Sequence, residues 1–343
     1  MTLGRSLTLK DATVLSIAIK ERWSGEKVQE VLEKLFKQNG IPTQIVIDGA
    51  SNLKKGVREV LSGINRSSHV TYDITHLMAN LIKKKYSGNM KFLSAMRKLA
   101  TTSKNIAQTR IGYLQPPKLR EKSRFLNMPK LAVWFYKTMD VLKSESLKRD
   151  EKKQIKKYFG WLWEPKWEAY LKKFTKEVIV LKNTQKILKN TGISEFSYKK
   201  ACASLSGIDD RRFTDSIIDA LHVELVQSNQ TGFPALLTSD LIESLFGKYK
   251  SIALPHKLSE INKTILSIPC ICEEITPKLI DKAFSKTKNR QVDWWVKRNI
   301  PPTLLSRRRK VLGSIDEKPN VTKLDTRQSK SIFAPHNRQI SAG

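Results

Sequence analysis

Between Thr43 and His76 the chain reads TQIVIDGASNLKKGVREVLSGINRSSHVTYDITH, and this order of strand, turn, helix, loop and strand limits the fold more than any other stretch. Ile45, Val46 and Ile47 make a β-branched run that stops at Asp48-Gly49, a turn pair. Ser51 stands where it would cap a helix carrying Leu53, Val57, Val60 and Leu61 on one face. A second strand, His69 to Tyr72, ends at Asp73. Apolar strands alternating with amphipathic helices predict a sheet covered by helices, in which ligands gather at the carboxyl ends of the strands. Asp48 stands at such an end, although Asp-Gly after a strand is more often only a turn.

A second acidic stretch, TSDLIESLFGKYK from Thr238 to Lys250, reads as a helix. Asp240 would cap it, with Glu243 completing a capping-box spacing. Leu241, Ile242, Leu245, Phe246 and Tyr249 supply its apolar stripe. Glu243 and Lys250 share a face, roughly 10 Å apart at the rise of an α-helix. Gly247, one turn from Glu243, leaves room on that face for a partner. A solvated Glu and Lys on a surface helix is the plainer reading.

Charge decides between classes of partner. The chain has 63 Lys and Arg against 32 Asp and Glu, a net charge of +31, which favours polyanions, DNA or RNA first and a membrane surface second. There is no signal peptide and no apolar run long enough to span a bilayer. Cys270 and Cys272 form a CxC pair, but the third cysteine, Cys202, is remote, so zinc is not implied and buried structural thiols are.

Elsewhere the pattern is helical. Ala12 to Lys20 reads as a strand or a short buried helix, and Ser24 caps a helix through Val28, Val31, Leu32, Leu35 and Phe36 that ends near Asn39-Gly40. Thr75 would cap a helix ending in Lys83, Lys84 and Lys85. From 87 to 232 strand signals nearly vanish, and helical periodicity covers Phe92–Ala107, Pro129–Leu142, Lys148–Trp163, Trp167–Asn190 and Asp209–Gln227. Within it lies a Pro-hinged basic turn with Lys118, Arg120, Lys122 and Arg124. Trp161, Trp163 and Trp167 follow a lysine run, which suits stacking on unpaired bases, though tryptophans at helical spacing are more often core. Ile261–Ile268 and Pro277–Lys286 look helical, and Gln291–Lys310 carries Trp294, Trp295 and a dense basic end of Arg307, Arg308, Arg309 and Lys310; residues 314–343 lack periodicity and read as a disordered tail.

Three blocks together, VIDGASNLKKGV, YDITHLMANLIKK and SDLIESLFGKYK, resemble the DDE transposases of bacterial insertion sequences. The resemblance runs from about residue 7 to 312. It implies α/β plus an all-α insertion, a ribonuclease-H-like core interrupted by a large helical insertion. The corresponding divisions are a partial core over 1–86, the insertion over 87–232, a return to the core over 233–265, a basic helical region over 266–313 and the tail. Asp48 matches the second catalytic aspartate, Glu243 the catalytic glutamate, and Lys250 a lysine that holds the element's terminal DNA. Asp73 and His76 match a recurring motif beside the site, with orientation or packing as their role. Ser239 and Leu236 stand where some branches carry an arginine and a tyrosine.

The resemblance further implies metal-dependent cleavage and strand transfer of DNA with magnesium or manganese held by Asp48 and Glu243. DNA, at element ends and target, is the implied partner, contacted through Lys250, Lys118 to Arg124 and Arg307 to Lys310. A homodimer is left open, no membrane is involved, and the setting is the bacterial cytoplasm and nucleoid. Asp11 is the only aspartate before Asp48 and lies too close to the Ser24 helix for the expected strands. The expectation is therefore a chain that begins inside the domain, lacks the first aspartate, binds metal weakly and is inactive as written. The rival readings are a non-catalytic DNA-binding remnant and an RNA-binding helical protein.

Overall fold

The computed structural model describes residues 8–64, 68–119, 124–142, 147–228, 234–253 and 261–313. The protein is a mainly helical α/β chain with one small parallel sheet. Arg120, Lys122 and the tail over 314–343 lie outside the described residues.

Strand β1 (Gln44–Ile47) and strand β2 (His69–Tyr72) pair in parallel, Gln44 opposite His69 and Ile47 opposite Tyr72. Their ranges are the ones the β-branched runs predict. Helix α1 (Gly25–Asn39) begins at Ser24, whose Oγ accepts from the Lys27 N–H at 3.4 Å, and ends at Gly40 with φ 84°, a conformation that favours glycine. Helix α2 (Ser51–Ser62) joins the strands and packs on α1. A Cβ added at Gly56 would lie 2.5 Å from Val28 Cβ and 2.7 Å from the Gly25 carbonyl, so α1 packs directly on the bare backbone of α2 at Gly56.

Helix α3 (Ile74–Tyr86) follows β2 and leads into α4 (Met90–Ile106), α5 (Met128–Leu142), α6 (Arg149–Phe159), α7 (Pro165–Thr191), α8 (Glu195–Ser204) and α9 (Arg211–Ser228). Helix α8 has no counterpart among the periodicities. The longest, α7, carries two cores. Its Trp167 and Leu171 pack with Ile106, Ile111, Phe159 and Leu162; its Phe174, Val178 and Leu181 pack with Met78, Phe92, Ile217 and Leu221. The second core also takes in Ile74 at the start of α3 and Leu237 on the segment that returns after α9. Lys85 Nζ reaches Glu177 at 2.7 Å and Asp210 at 2.9 Å, and Tyr86 Oη donates to Glu177 at 2.5 Å, tying α3, α7 and the start of α9 together.

After α9 the chain returns to the sheet. Ile193 and Ala235 form an antiparallel bridge, and α10 (Asp240–Ala253) follows. Beyond it are α11 (Pro277–Lys286), α12 (Asn289–Asn299) and α13 (Leu304–Leu312). Pro301 and Pro302 stand between α12 and α13 and keep them apart. Ile261–Ile268 reduces to a 3₁₀ turn at Lys263–Ser267. Ala12–Lys20 is neither strand nor helix; its Val14, Ile17 and Ile19 pack beside Tyr249, Ile265 and Ile268. Among the described residues no helix is long and apolar enough to cross a membrane.

Candidate carboxylate site

Both strands end in an aspartate, and the two aspartates do different work. Asp48 follows the buried Ile47 and is half-buried; its Oδ1 accepts from the Ala50 N–H at 2.9 Å, while Gly49 turns the chain with φ 81°. That carboxylate, rather than Ser51, shapes the entry to α2. Ser51 is the first helical residue and Ala50 the cap, so the cap expected at Ser51 is corrected.

Asp73 is fully buried and has no oxygen to spare. Its N–H donates to the Ile47 carbonyl at 2.8 Å, which sets it beside the end of β1. Its Oδ1 accepts from Thr75 N–H (2.7 Å) and His76 N–H (3.1 Å), and its Oδ2 from Ser239 N–H (2.7 Å) and Ser239 Oγ (2.8 Å). Burial pushes this carboxyl up, but the donors of Ser239, His76 and Thr75 outweigh it and hold the acid below its ordinary range. Asp73, not Thr75, is therefore the cap of α3.

The same carboxylate anchors the start of α10. The Glu243 N–H closes on the Ser239 carbonyl at 3.1 Å, so Ser239 is the cap and Asp240 the first helical residue. Asp240 instead pairs with Lys189 on α7 at 2.5 Å, which corrects its reading as the cap. The preceding segment is stitched to the sheet by polar groups. Gln44 Nε2 donates to the Leu236 carbonyl at 2.7 Å, Gln44 Oε1 accepts from the Leu236 N–H at 3.1 Å, and Ile74 N–H donates to the Leu237 carbonyl at 2.8 Å.

These bonds carry Glu243 to the carboxyl end of the strands. His76 Nε2 stands 4.0 Å from Glu243 Oε1, with the His76 side chain 28% exposed and that of Glu243 59%. Glu243 thus stands beside His76 just past the end of β2, while Asp48 follows the end of the neighbouring β1. Lys250 is exposed on α10, and an added Cβ at Gly247 would meet nothing within 4 Å. The apolar stripe of α10 splits: Tyr249 is buried, whereas Ile242 and Phe246 are 54% and 45% exposed.

Behind β2 lies a carboxylate the sequence reading did not single out. Glu224 of α9, 1% exposed, accepts from the Tyr72 N–H at 3.1 Å. Burial pushes its carboxyl up to about 7, against smaller opposing pulls from that N–H and from Lys54. Lys54 Nζ sits 4.3 Å over the Tyr72 ring. The signal for Glu224 was its position on the stripe that includes Ile217, Leu221 and Ser228.

The expected DNA contacts stand on two other surfaces. Lys118 is exposed and Arg124 half-buried, and both border a hollow of about 550 Å³ that also includes Arg97. Arg307, Arg308, Arg309 and Lys310 are exposed on α13, Arg307 facing Glu21 at 3.3 Å. Trp167 is buried and meets Trp161 edge-on at 5.8 Å, and Trp161 Nε1 donates to Thr102, so these two are core and not a stacking platform. No protein family, curated protein or solved structure matches this chain.

Proposed function

We propose that the chain is a DNA-processing protein of the DDE transposase kind, with a ribonuclease-H-like core in which Asp48 and Glu243 hold a divalent cation. One observation carries the reading: Glu243, remote from Asp48 in sequence, stands against His76 just past β2, at the strand end where Asp48 also lies. The available donors fit one hard cation. Asp48 and Glu243 offer carboxylate oxygens, Asp73 has none left, and magnesium or manganese is commonly held by one or two carboxylates with water and phosphate completing the shell. Such an ion, when bound, activates a nucleophile and offsets charge on a phosphodiester. His76 orients Glu243, Lys250 contacts a phosphate from the same helix, and Gly247 leaves the approach between them open. The setting is the cell interior, where the DNA is.

Nicking of a supercoiled plasmid with magnesium or manganese tests this. Cation-dependent nicking by the wild type that is lost in Asp48→Asn and Glu243→Gln, which keep the side-chain shape and remove the charge, supports the assignment. Nicking that survives both substitutions overturns the assignment. A second reading, DNA binding without cleavage, is favoured by Asp73, whose fully used oxygens leave two carboxylates where paired metals need more. Salt-sensitive binding with no nicking in the wild type would select it.

A further inference from the structure

We propose that the hollow between α7 and α10 is a groove for the phosphate backbone of a nucleic-acid strand, separate from the carboxylate site. It encloses about 920 Å³ and is lined by Lys10, Lys182, Lys186, Lys189 and Lys248, with Asp240 as its carboxylate. Lys189 is held by Asp240 at 2.5 Å, so those two charges offset each other. Lys10, Lys182, Lys186 and Lys248 enter no ion pair among the described residues. Four unpaired ammonium groups around one concavity repel each other and concentrate positive potential there, and an anionic ligand relieves this. The neutral lining sets Asn183, Asn190 and Ser244, groups that serve phosphate oxygens well, among the apolar Leu9, Leu236, Leu241 and Ile271.

The spacing fits a backbone rather than a single anion. Lys182, Lys186 and Lys189 recur every three or four residues along one side of α7 and span roughly 10 Å. One strand carries a phosphate about every 3.4 Å along a duplex axis, so the row faces about three of them. Ser244 and Lys248 turn one side of α10 to the groove, Glu243 and Lys250 occupy the adjoining side, and Gly247 forms the bare ridge between. A strand leaving the groove passes Gly247 without meeting a side chain and arrives at Glu243. That last step rests on the function proposed above; the groove does not.

The test uses the full chain with EDTA present, so that cleavage plays no part. Fluorescence anisotropy of a labelled DNA duplex is measured over a salt series for the wild type and for K182Q/K186Q/K248Q. The slope of log affinity against log salt should fall by about three, near one for each lysine removed, with at least a tenfold loss at low salt. The control K34Q/K37Q/K153Q takes the same charge from exposed sites on α1 and α6 and should change the slope by less than about one. Equal losses in both variants, or an unchanged slope in the groove variant with an unchanged circular-dichroism melt, overturn the groove. So does a groove variant that keeps DNA affinity but loses binding to phosphatidylglycerol vesicles, which assigns the hollow to lipid. Because no cation is present, the fate of nicking in Glu243→Gln bears on the carboxylate site alone.

Discussion

Glu224→Gln should make the protein more stable at alkaline pH and no less stable at acid pH. The Glu224 carboxyl is 1% exposed and is raised from 4.5 to about 7, chiefly by burial. A raised carboxyl means that the folded chain keeps a proton that the unfolded chain has released, so stability falls as pH climbs from about 4.5 to about 7 and is level above. A shift of that size, at about 1.4 kcal/mol for each pH unit, corresponds to about 3 kcal/mol lost across the window. Glutamine keeps a carbonyl oxygen for the Tyr72 N–H and cannot ionise, so it removes this loss and leaves the bond. Urea unfolding followed by circular dichroism at pH 5 and pH 8 should give the variant a gain of less than about 1 kcal/mol at the first and about 3 kcal/mol at the second. Other titrating groups act on both proteins and cancel in the difference. Parallel curves would refute the argument. A variant weaker than wild type at pH 8 would refute it more sharply, showing that Lys54 compensates the ionised form.

Gly56→Ala should destabilise the protein by about 1–2 kcal/mol in the same assay, because overpacking against Val28 and the Gly25 carbonyl costs about 1–3 kcal/mol while helix propensity returns at most about 1; a more stable variant would show that α1 and α2 separate freely. Asp73→Asn should cost at least about 2 kcal/mol, since the amide turns an N–H₂ toward donors of Ser239, His76 or Thr75 and leaves buried N–H groups unpaired at about 1–3 kcal/mol each. Loss of amide exchange protection should centre on the starts of α3 and α10; loss confined to other helices would contradict this assignment.

The strands were legible because their signals are local: a β-branched run closed by a turn pair, repeated before Asp73. Ser24 and Gly40 bounded α1 for the same reason. Caps were legible only as types. Ser51, Thr75 and Asp240 each satisfied the local rule, but tertiary partners decided otherwise: Asp73 serves two helix starts at once, and Lys189 draws Asp240 away. Helix α8 was missed because its buried residues are only Ser197 and Ala201, too small to print an apolar stripe. The segment 12–20 looked structured because it is apolar, yet it contributes side chains to a core without a ladder of its own. The docking of the α10 segment beside the sheet had no local signal, because the residues that bring it about, Gln44 and Ser239, carry no sequence signature.

Those two residues explain how so small a sheet can position a site. Two strands of four residues are marginal by themselves, and β1 offers only Ile47 as a buried side chain. What holds the return segment is polar: Gln44 grips both backbone groups of Leu236, Thr71 Oγ1 adds a bond to the same carbonyl at 2.9 Å, and Asp73 grips Ser239 twice. Each such bond contributes about 1 kcal/mol, and more where it meets the Asp73 charge. Glu243 therefore owes its place to a carboxylate whose two oxygens already accept four hydrogen bonds. An apolar clamp would tolerate sliding of α10 along the sheet, whereas these bonds have direction and fix its register. The same rigidity holds both faces of α10, one toward the carboxylates and one toward the lysine groove, in a constant relation about Gly247.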